Sequence, residues 1–274
     1  PLVEWIARWL CARGVRPAIV SRGYGAEQGA LNDEALELEQ RLPDVPHLQN
    51  PNRREAAQAA IDELGCQAIV LDDGFQHRRL ARDLDIVLLD ALAPWGYGHV
   101  FPRGLLREPL AGLARAHAVV LSRADLVSAD EREQIRQRTA RYAPAARWLE
   151  AVHQPRALRD AAGQEQPLDT LRGAPLAAFC GIGNPAAFRH TLQHLGYQVL
   201  ALREFPDHYC YERADVHSLV GWAEALRPAA VLTTHKDLVK IRLRALGRVP
   251  LWAVAIGVEF LHGQHELEQL LEPL

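Results

Sequence analysis

Hydrophobic positions along this chain follow two rhythms that take turns: short unbroken apolar runs, and longer stretches with apolar residues three or four apart. The runs predict strands covered on both faces, and the spaced stretches predict amphipathic helices. Leu2, Val3, Trp5, Ile6, Trp9 and Leu10 set a first helix that stops near Gly14, and residues 17–20 predict a short buried strand. Leu31, Ala35, Leu38 and Leu42 mark a second helix. Ala57, Ala60, Ile61 and Leu64 mark the inward face of a third, spanning 50–64 and closed by Gly65. Strands are predicted at 68–71, 84–89 and 118–121, with a polar helix over 130–142. The pattern loosens from 143 to 173 and restarts with a strand at 176–180. Asn184 and Pro185 then open a helix whose Phe188, Leu192 and Leu195 face inward. A strand at 197–202, a helix through Val216, Leu219, Val220, Ala223 and Leu226, and strands at 230–232 and 251–256 complete the chain. Strands alternating with helices at this spacing predict a mostly parallel, doubly wound α/β sheet. The division expected from it is 1–145, a linker ribbon at 146–173, and a smaller α/β domain at 174–274.

Chemistry gathers where the predicted strands end. The run Ile69, Val70, Leu71 stops in Asp72, Asp73 and Gly74, and the carboxyl ends of strands in open α/β sheets face the ligand crevice. A strand-end Asp is the usual metal-and-phosphate element of nucleotide kinases, although Asp-Asp-Gly is also ordinary turn chemistry. Phe75, Gln76, His77, Arg78 and Arg79 follow, placing acceptors, a titratable ring and two cations beside the carboxylates. Arg22 and Tyr24 lie beyond the 17–20 strand. Asp90 opens the loop APWGYGHVFPRGLLREPL, whose three Pro, three Gly, Trp95 and Tyr97 predict order over a site, with Arg107 and Glu108 at its end. Arg53 and Arg54 fall in a helix's first turn, which the macrodipole disfavours. A bound anion would rationalise them; a solvated face is the plain alternative. Asp33 reads as an N-cap or a base, and His208 sits between Asp207 and two tyrosines. Gly181 and Gly183 in GIGN read as a tight turn, and His235 and Lys236 in TTHKD as a strand-to-helix turn, loosely similar to a base-reading loop.

Composition narrows the classes. The chain has 274 residues, 49% of them hydrophobic, which is ample for real cores. A net charge of -3 gives no case for nucleic acid. Lys236 and Lys240 are the only lysines, so Arg supplies nearly all the cations, and Arg suits bidentate grip on phosphate or carboxylate. Cys11, Cys66, Cys180 and Cys210 form no close pair, so neither a zinc site nor a disulfide framework is expected. No run approaches the roughly 18 to 20 apolar residues of a membrane span. No GxxxxGK[ST] cradle is present. On spacing alone a kinase and a non-catalytic α/β binding module both stay open, as does a P-loop phosphotransferase with another acceptor.

SRGYG, Asp33-Glu34, LDDGFQHRRLARDLDIVLLDA, PWG with LREPL, FCGIGNP, FPDH and TTHKDLVK, in this order, resemble the tetraacyldisaccharide 4'-kinase family, the lipid A 4'-kinases of Gram-negative bacteria. The resemblance spans Ser21 to Lys240. It implies a P-loop NTPase-like, mostly parallel sheet plus a smaller α/β domain joined by a two-stranded linker. The implied activity is transfer of the ATP γ-phosphate to the 4'-hydroxyl of a tetraacylated glucosamine disaccharide 1-phosphate, with Mg2+, by a monomer peripheral to the cytoplasmic face of the inner membrane. By motif, Asp33 would be the base, assisted by His208. Asp72, Asp73 and Glu108 would be metal-side carboxylates, and Arg22, Tyr24, Arg53, Gln76, His77 and Arg107 would bind headgroup and phosphates. The resemblance also puts Gly-Lys-Thr-Pro of a phosphate loop directly at Pro1, so its Lys and Thr would precede this chain. The expectation is then that the chain alone binds ATP poorly and turns over negligibly. Asn32 and Ala35 around the Asp-Glu pair, Tyr209 for a second His, and His235 for a Glu depart from the family pattern.

Overall fold

The computed structural model describes residues 1–23, 33–207 and 209–273, and the backbone alone of residues 33 and 34. In chain order the elements are α1 (Leu2–Cys11), β1 (Pro17–Ser21), α2 (Asp33–Arg41), β2 (His47–Gln49), α3 (Arg53–Asp62), β3 (Ala68–Leu71), β4 (Ile86–Asp90), β5 (Ala118–Ser122), α4 (Ala129–Ala140), β6 (Arg147–Arg159), β7 (Glu165–Gln166), β8 (Pro175–Cys180), α5 (Pro185–His194), β9 (Gln198–Glu204), α6 (Arg213–Leu226), β10 (Ala230–Thr234), α7 (His235–Ile241), β11 (Ala245–Leu246), β12 (Val249–His262) and α8 (Gln264–Leu271). They form two compact units. One comprises Pro1–Arg22, Val45–Gln154 and Val258–Leu274; the other comprises Gly23–Asp44 and Pro155–Gly257. The expected α/β class, parallel-dominated and flanked by helices, is the one observed. Two of the passages between units occur inside long strands, at Gln154 of β6 and at Gly257 of β12.

In the first unit β1 runs parallel to β2 on one side and to β3 on the other, with Ile19 opposite both His47 and Val70. β5 runs parallel to β4 and to β6. Its alternation explains its burial on both faces, because successive side chains point to opposite sides of a sheet. Ala118 and Val120 join Leu2, Ile6, Trp9 and Leu10 of α1 and Leu267 and Leu271 of α8, whereas Val119 and Leu121 pack with Leu89 and with Ile135 of α4. Each such Leu or Ile contributes about 1.5–3 kcal/mol of hydrophobic stabilisation on burial, so both terminal helices are fixed by their apolar stripes. Helix α4 starts in a full capping box, with Ser128 accepting from the Glu131 amide and Glu131 accepting from the Ser128 amide.

The second unit repeats the device. β8 runs parallel to β9 and to β10, and β10 to β12. Leu176, Ala178 and Cys180 of β8 face Phe188 and Leu192 of α5, and Ala177 and Phe179 face Leu219 and Ala223 of α6 and Leu238 of α7. The loose 146–173 stretch is the 13-residue strand β6 followed by β7, which pairs with it antiparallel, Leu158 opposite Gln166.

Two expectations are corrected. β3, read as buried on both faces, is partly exposed at all four residues, because among the described residues it is an outer strand and β1 holds the centre. On α3 the buried residues are Arg53, Ala56, Ala57 and Ala60, while Ile61 and Leu64 are exposed. Gly65 does close that helix: at φ 64° its amide bonds to the Ile61 carbonyl, the left-handed capping arrangement, and the Cys66 amide bonds to the Ala60 carbonyl.

Candidate active site

The carboxyl ends of β1 and β3 are knitted together before any side chain is considered. The Asp72 amide donates to the Val20 carbonyl at 2.9 Å, and the Asn50 amide donates to the Ser21 carbonyl at 3.1 Å. The Ser21 hydroxyl meets His47 Nε2 at 2.9 Å and accepts from Gln49 Nε2 at 3.3 Å. The chain then turns sharply, with Asp73 in the left-handed region at φ 51°. A Cβ on Gly74 would stand 2.7 Å from Leu71 Cβ, so only glycine fits behind the aspartates.

This turn is joined to the end of the long loop by two guanidinium groups. Arg107 donates to the Asp73 carboxylate, an exposed pair worth at most about 1 kcal/mol in water. Arg115 donates from Nη2 to both oxygens of Glu108, at 2.7 and 3.0 Å, and lies over the Phe75 ring at 4.4 Å. The Glu108 carboxyl comes within 2.7 Å of where a Gly112 Cβ would be, so Gly112 makes room for it. Asp73, Phe75, Arg107, Glu108 and Arg115 therefore form one group built from two distant motifs. The Asp72 carboxylate has no hydrogen bond or ion pair among the described residues. No group of three or more His, Cys, Asp or Glu side chains among the described residues is arranged to hold a metal ion, so Asp72, Asp73 and Glu108 are not a ready-made protein cage.

Two further side chains of this unit, Arg53 and His77, have no carboxylate partner among the described residues. Arg53, at the start of α3, is 6% exposed, and its Nε is buried without a hydrogen-bond partner. The solvated-face alternative holds for Arg54 and fails for Arg53. His77 Nε2 is also buried and unpartnered, and removal from water together with the guanidiniums of Arg53, Arg79 and Arg82 pulls the imidazole pKa down. A neutral ring and a buried cation with an open donor are the chemistry of an anion site. Arg22 and Gln76 are exposed.

In the second unit, three of the singled-out motifs meet at Asp237, which is fully buried. Its carboxylate accepts from the Gly181 amide at 3.0 Å, the Thr234 hydroxyl at 2.6 Å and the Tyr211 hydroxyl at 3.0 Å. Burial and the Asp237 charge push the Tyr211 pKa up, so its phenol stays a donor. Lys236 reaches Asp207 at 3.5 Å and Lys240 donates to the Tyr209 carbonyl at 3.1 Å. The GIGN, FPDH and TTHKD segments thus share one hub. His235 is buried on α7 and bridges to α2: Nδ1 lies 3.2 Å from Glu37 Oε1 and 3.1 Å from Arg41 Nε. Burial pushes the Glu37 carboxyl up, but the His235 hydrogen bond and the Arg41 charge outweigh it and hold the group below its usual range. His235 is a structural tether, not a base-reading group. Tyr24, the Asp33 side chain and His208 lie outside the described residues. Asp237, Arg115 and the Glu37–Arg41 pair were missed by sequence reading, because each takes its role from partners brought to it by the fold.

The profile of the Tetraacyldisaccharide-1-P 4'-kinase (LpxK) family matches residues 1–274. The tetraacyldisaccharide 4'-kinase of Anaeromyxobacter sp. (strain K) is 43% identical over 291 residues, covering 99% of this chain and 77% of that protein. That of Halothermothrix orenii is 35% identical over 268 residues, covering 88% and 70%. Among solved structures, LpxK from Aquifex aeolicus in complex with ATP superposes with a TM-score of 0.74 at 28% identity, over 99% of this chain and 82% of that one. The profile runs through every residue of the chain, which removes the support for expecting the chain to be inactive.

Proposed function

This chain belongs to the tetraacyldisaccharide-1-P 4'-kinase family, and we propose that Asp33 and His208 carry proton removal while the residues around Asp72, Asp73 and Glu108 carry phosphate handling. It is a kinase of lipid A biosynthesis that uses ATP to phosphorylate the 4'-hydroxyl of a tetraacylated disaccharide. The whole-chain family match carries that reading. The Asp73–Arg107 and Glu108–Arg115–Phe75 contacts support the phosphate-handling half of it.

Asp33 takes the proton of the 4'-hydroxyl as its oxygen bonds to the γ-phosphorus and the bond from that phosphorus to the bridging oxygen breaks, releasing ADP; His208 assists Asp33. Arg22, Arg53 and Arg107 oppose the negative charge that spreads over the phosphoryl oxygens, and Tyr24, Gln76 and the neutral His77 contribute hydrogen bonds. Mg2+ fits this donor set even without a three-carboxylate cage, because it is commonly held by one or two carboxylates, waters and substrate phosphates. Asp72 would bind it directly, its carboxylate being uncommitted, with Asp73 and Glu108 held close by Arg107 and Arg115. When bound, the ion neutralises phosphate charge and leaves the residues to orient and deprotonate. No described helix is long and apolar enough to cross a membrane. A lipid acceptor nonetheless calls for peripheral attachment, at the cytoplasmic face of the inner membrane. Asp33→Ala is expected to lower kcat by about 100-fold or more while leaving the Kd for ATP unchanged; turnover near the parent's would exclude Asp33 as the base.

A further inference from the structure

We propose that the outer face of the loop around residues 96–106 docks on an anionic lipid bilayer. The inference rests on the lipid-kinase reading and adds to it the surface that meets the lipid. Tyr97 and Phe101 are each 78% exposed, Leu105 is 61% exposed, and Val100 is also exposed. Scattered exposed apolar residues need no explanation, but four within nine positions on one loop do.

The exposure belongs to a built shape. The Leu105 amide donates to the Gly96 carbonyl at 2.9 Å, the Leu106 amide to His99 at 3.1 Å, and the Phe101 amide to Leu106 at 2.9 Å. A Cβ on Gly104 would stand 2.2 Å from the His99 carbonyl oxygen, so these strands of the loop close on each other with no side chain between them. The loop also buries an aromatic where it can. Trp95 packs against the core that contains Leu89 and Leu121, with the Arg138 guanidinium 4.5 Å from its ring. Tyr97, two residues on, is turned out at φ 61° between two glycines. One aromatic roots the loop, and two are presented.

Charge selects the occupant. Residues 91–107 contain no Asp or Glu, while His99 and Arg103 are exposed beside the apolar tip. An aromatic and aliphatic tip flanked by Arg103, in a stretch without carboxylates, matches the interface of an anionic bilayer. Tyr belongs at headgroup depth, Phe and Leu at the acyl boundary, and Arg on lipid phosphate. A protein partner would fit the apolar residues alone, and the one-sign flank favours the lipid surface.

The test is flotation with vesicles of phosphatidylcholine, with and without phosphatidylglycerol. The parent chain is expected to bind the anionic vesicles, with salt weakening the binding. Tyr97→Ser/Phe101→Ser is expected to bind about tenfold or more weakly, as loss of two buried rings requires. Its unfolding temperature and its kcat on acceptor dispersed in detergent should stay unchanged. Phe101→Glu is expected to lose more affinity for the anionic than for the zwitterionic vesicles. A double variant that binds like the parent, or a parent indifferent to vesicles, overturns the proposal, the second outcome covering a protein partner. A parent that binds vesicles in a Tyr97- and Phe101-dependent way but phosphorylates nothing in detergent supports the docking face and contradicts the kinase reading instead.

Discussion

Arg53 stands in the first turn of α3, where the helix field opposes a cation, and it is buried with its Nε unpaired. Both features cost stability, and such costs are typical of groups kept for a ligand. Arg53→Met is therefore expected to leave the unfolding temperature unchanged or raise it, while lowering kcat/KM by about 10- to 100-fold, the worth of one charge-assisted hydrogen bond. Thermal unfolding and initial rates on the same preparation check this, and a variant that loses stability and keeps its rate would contradict it. Legibility at this scale was uneven. Asp72, Asp73 and Gly74 could be placed at a strand end because an apolar run stops at them. Arg53 could be marked as anomalous but not told from Arg54, since their difference is which way α3 faces. Arg115 could not be found by motif, because its role depends on Phe75, forty residues earlier, arriving under its guanidinium.

Helices α2 and α7 are joined through a histidine. His235 is buried between Glu37 and Arg41, and Arg41 also donates to the Ile256 carbonyl at 2.7 Å, so the turn that ends α2 is fastened on several sides. Burial, with Arg41 and Arg159 adding to it, pulls the His235 pKa down against the opposing pull of Glu37. Burial likewise lowers His77, helped by Arg53, Arg79 and Arg82, and it lowers His153, helped by Arg123. All three rings therefore bind a proton less readily folded than unfolded, where the value is near 6.5. The stability they contribute is fully present above pH 6.5 and is lost as pH falls through 6.5 towards the lowered folded values. The unfolding temperature should fall on going from neutral pH to pH 5, and His235→Gln should flatten that slope; a profile that stays level, or rises towards acid, would contradict the assignment. The elements themselves were mostly legible, because β8 and β10 carry the unbroken apolar runs that two covered faces demand. The inward face of α3 was not, since its contact surface is three alanines and an arginine, too small and too polar to register as an apolar stripe.

On the scale of the whole molecule, neither unit is contiguous in sequence: residues 23–44 belong with 155–257, and 258–274 return to the first unit. Local rhythm cannot report this, because membership is decided by which distant strand accepts the chain. Leu267 and Leu271 look like any amphipathic helix until they are found packed with Leu2 and Leu10. The family motifs, by contrast, were readable across both units, since each is a short local signature. The central claim, that this chain moves the γ-phosphate of ATP to the 4'-hydroxyl of a tetraacylated disaccharide 1-phosphate, is tested most directly by incubating it with both substrates and Mg2+ in detergent and locating the new phosphate by mass spectrometry and 31P NMR. The account predicts one added phosphate per disaccharide, at the 4' position, formed with an equal amount of ADP. An unmodified acceptor, or a phosphate added elsewhere on the sugar, would contradict it.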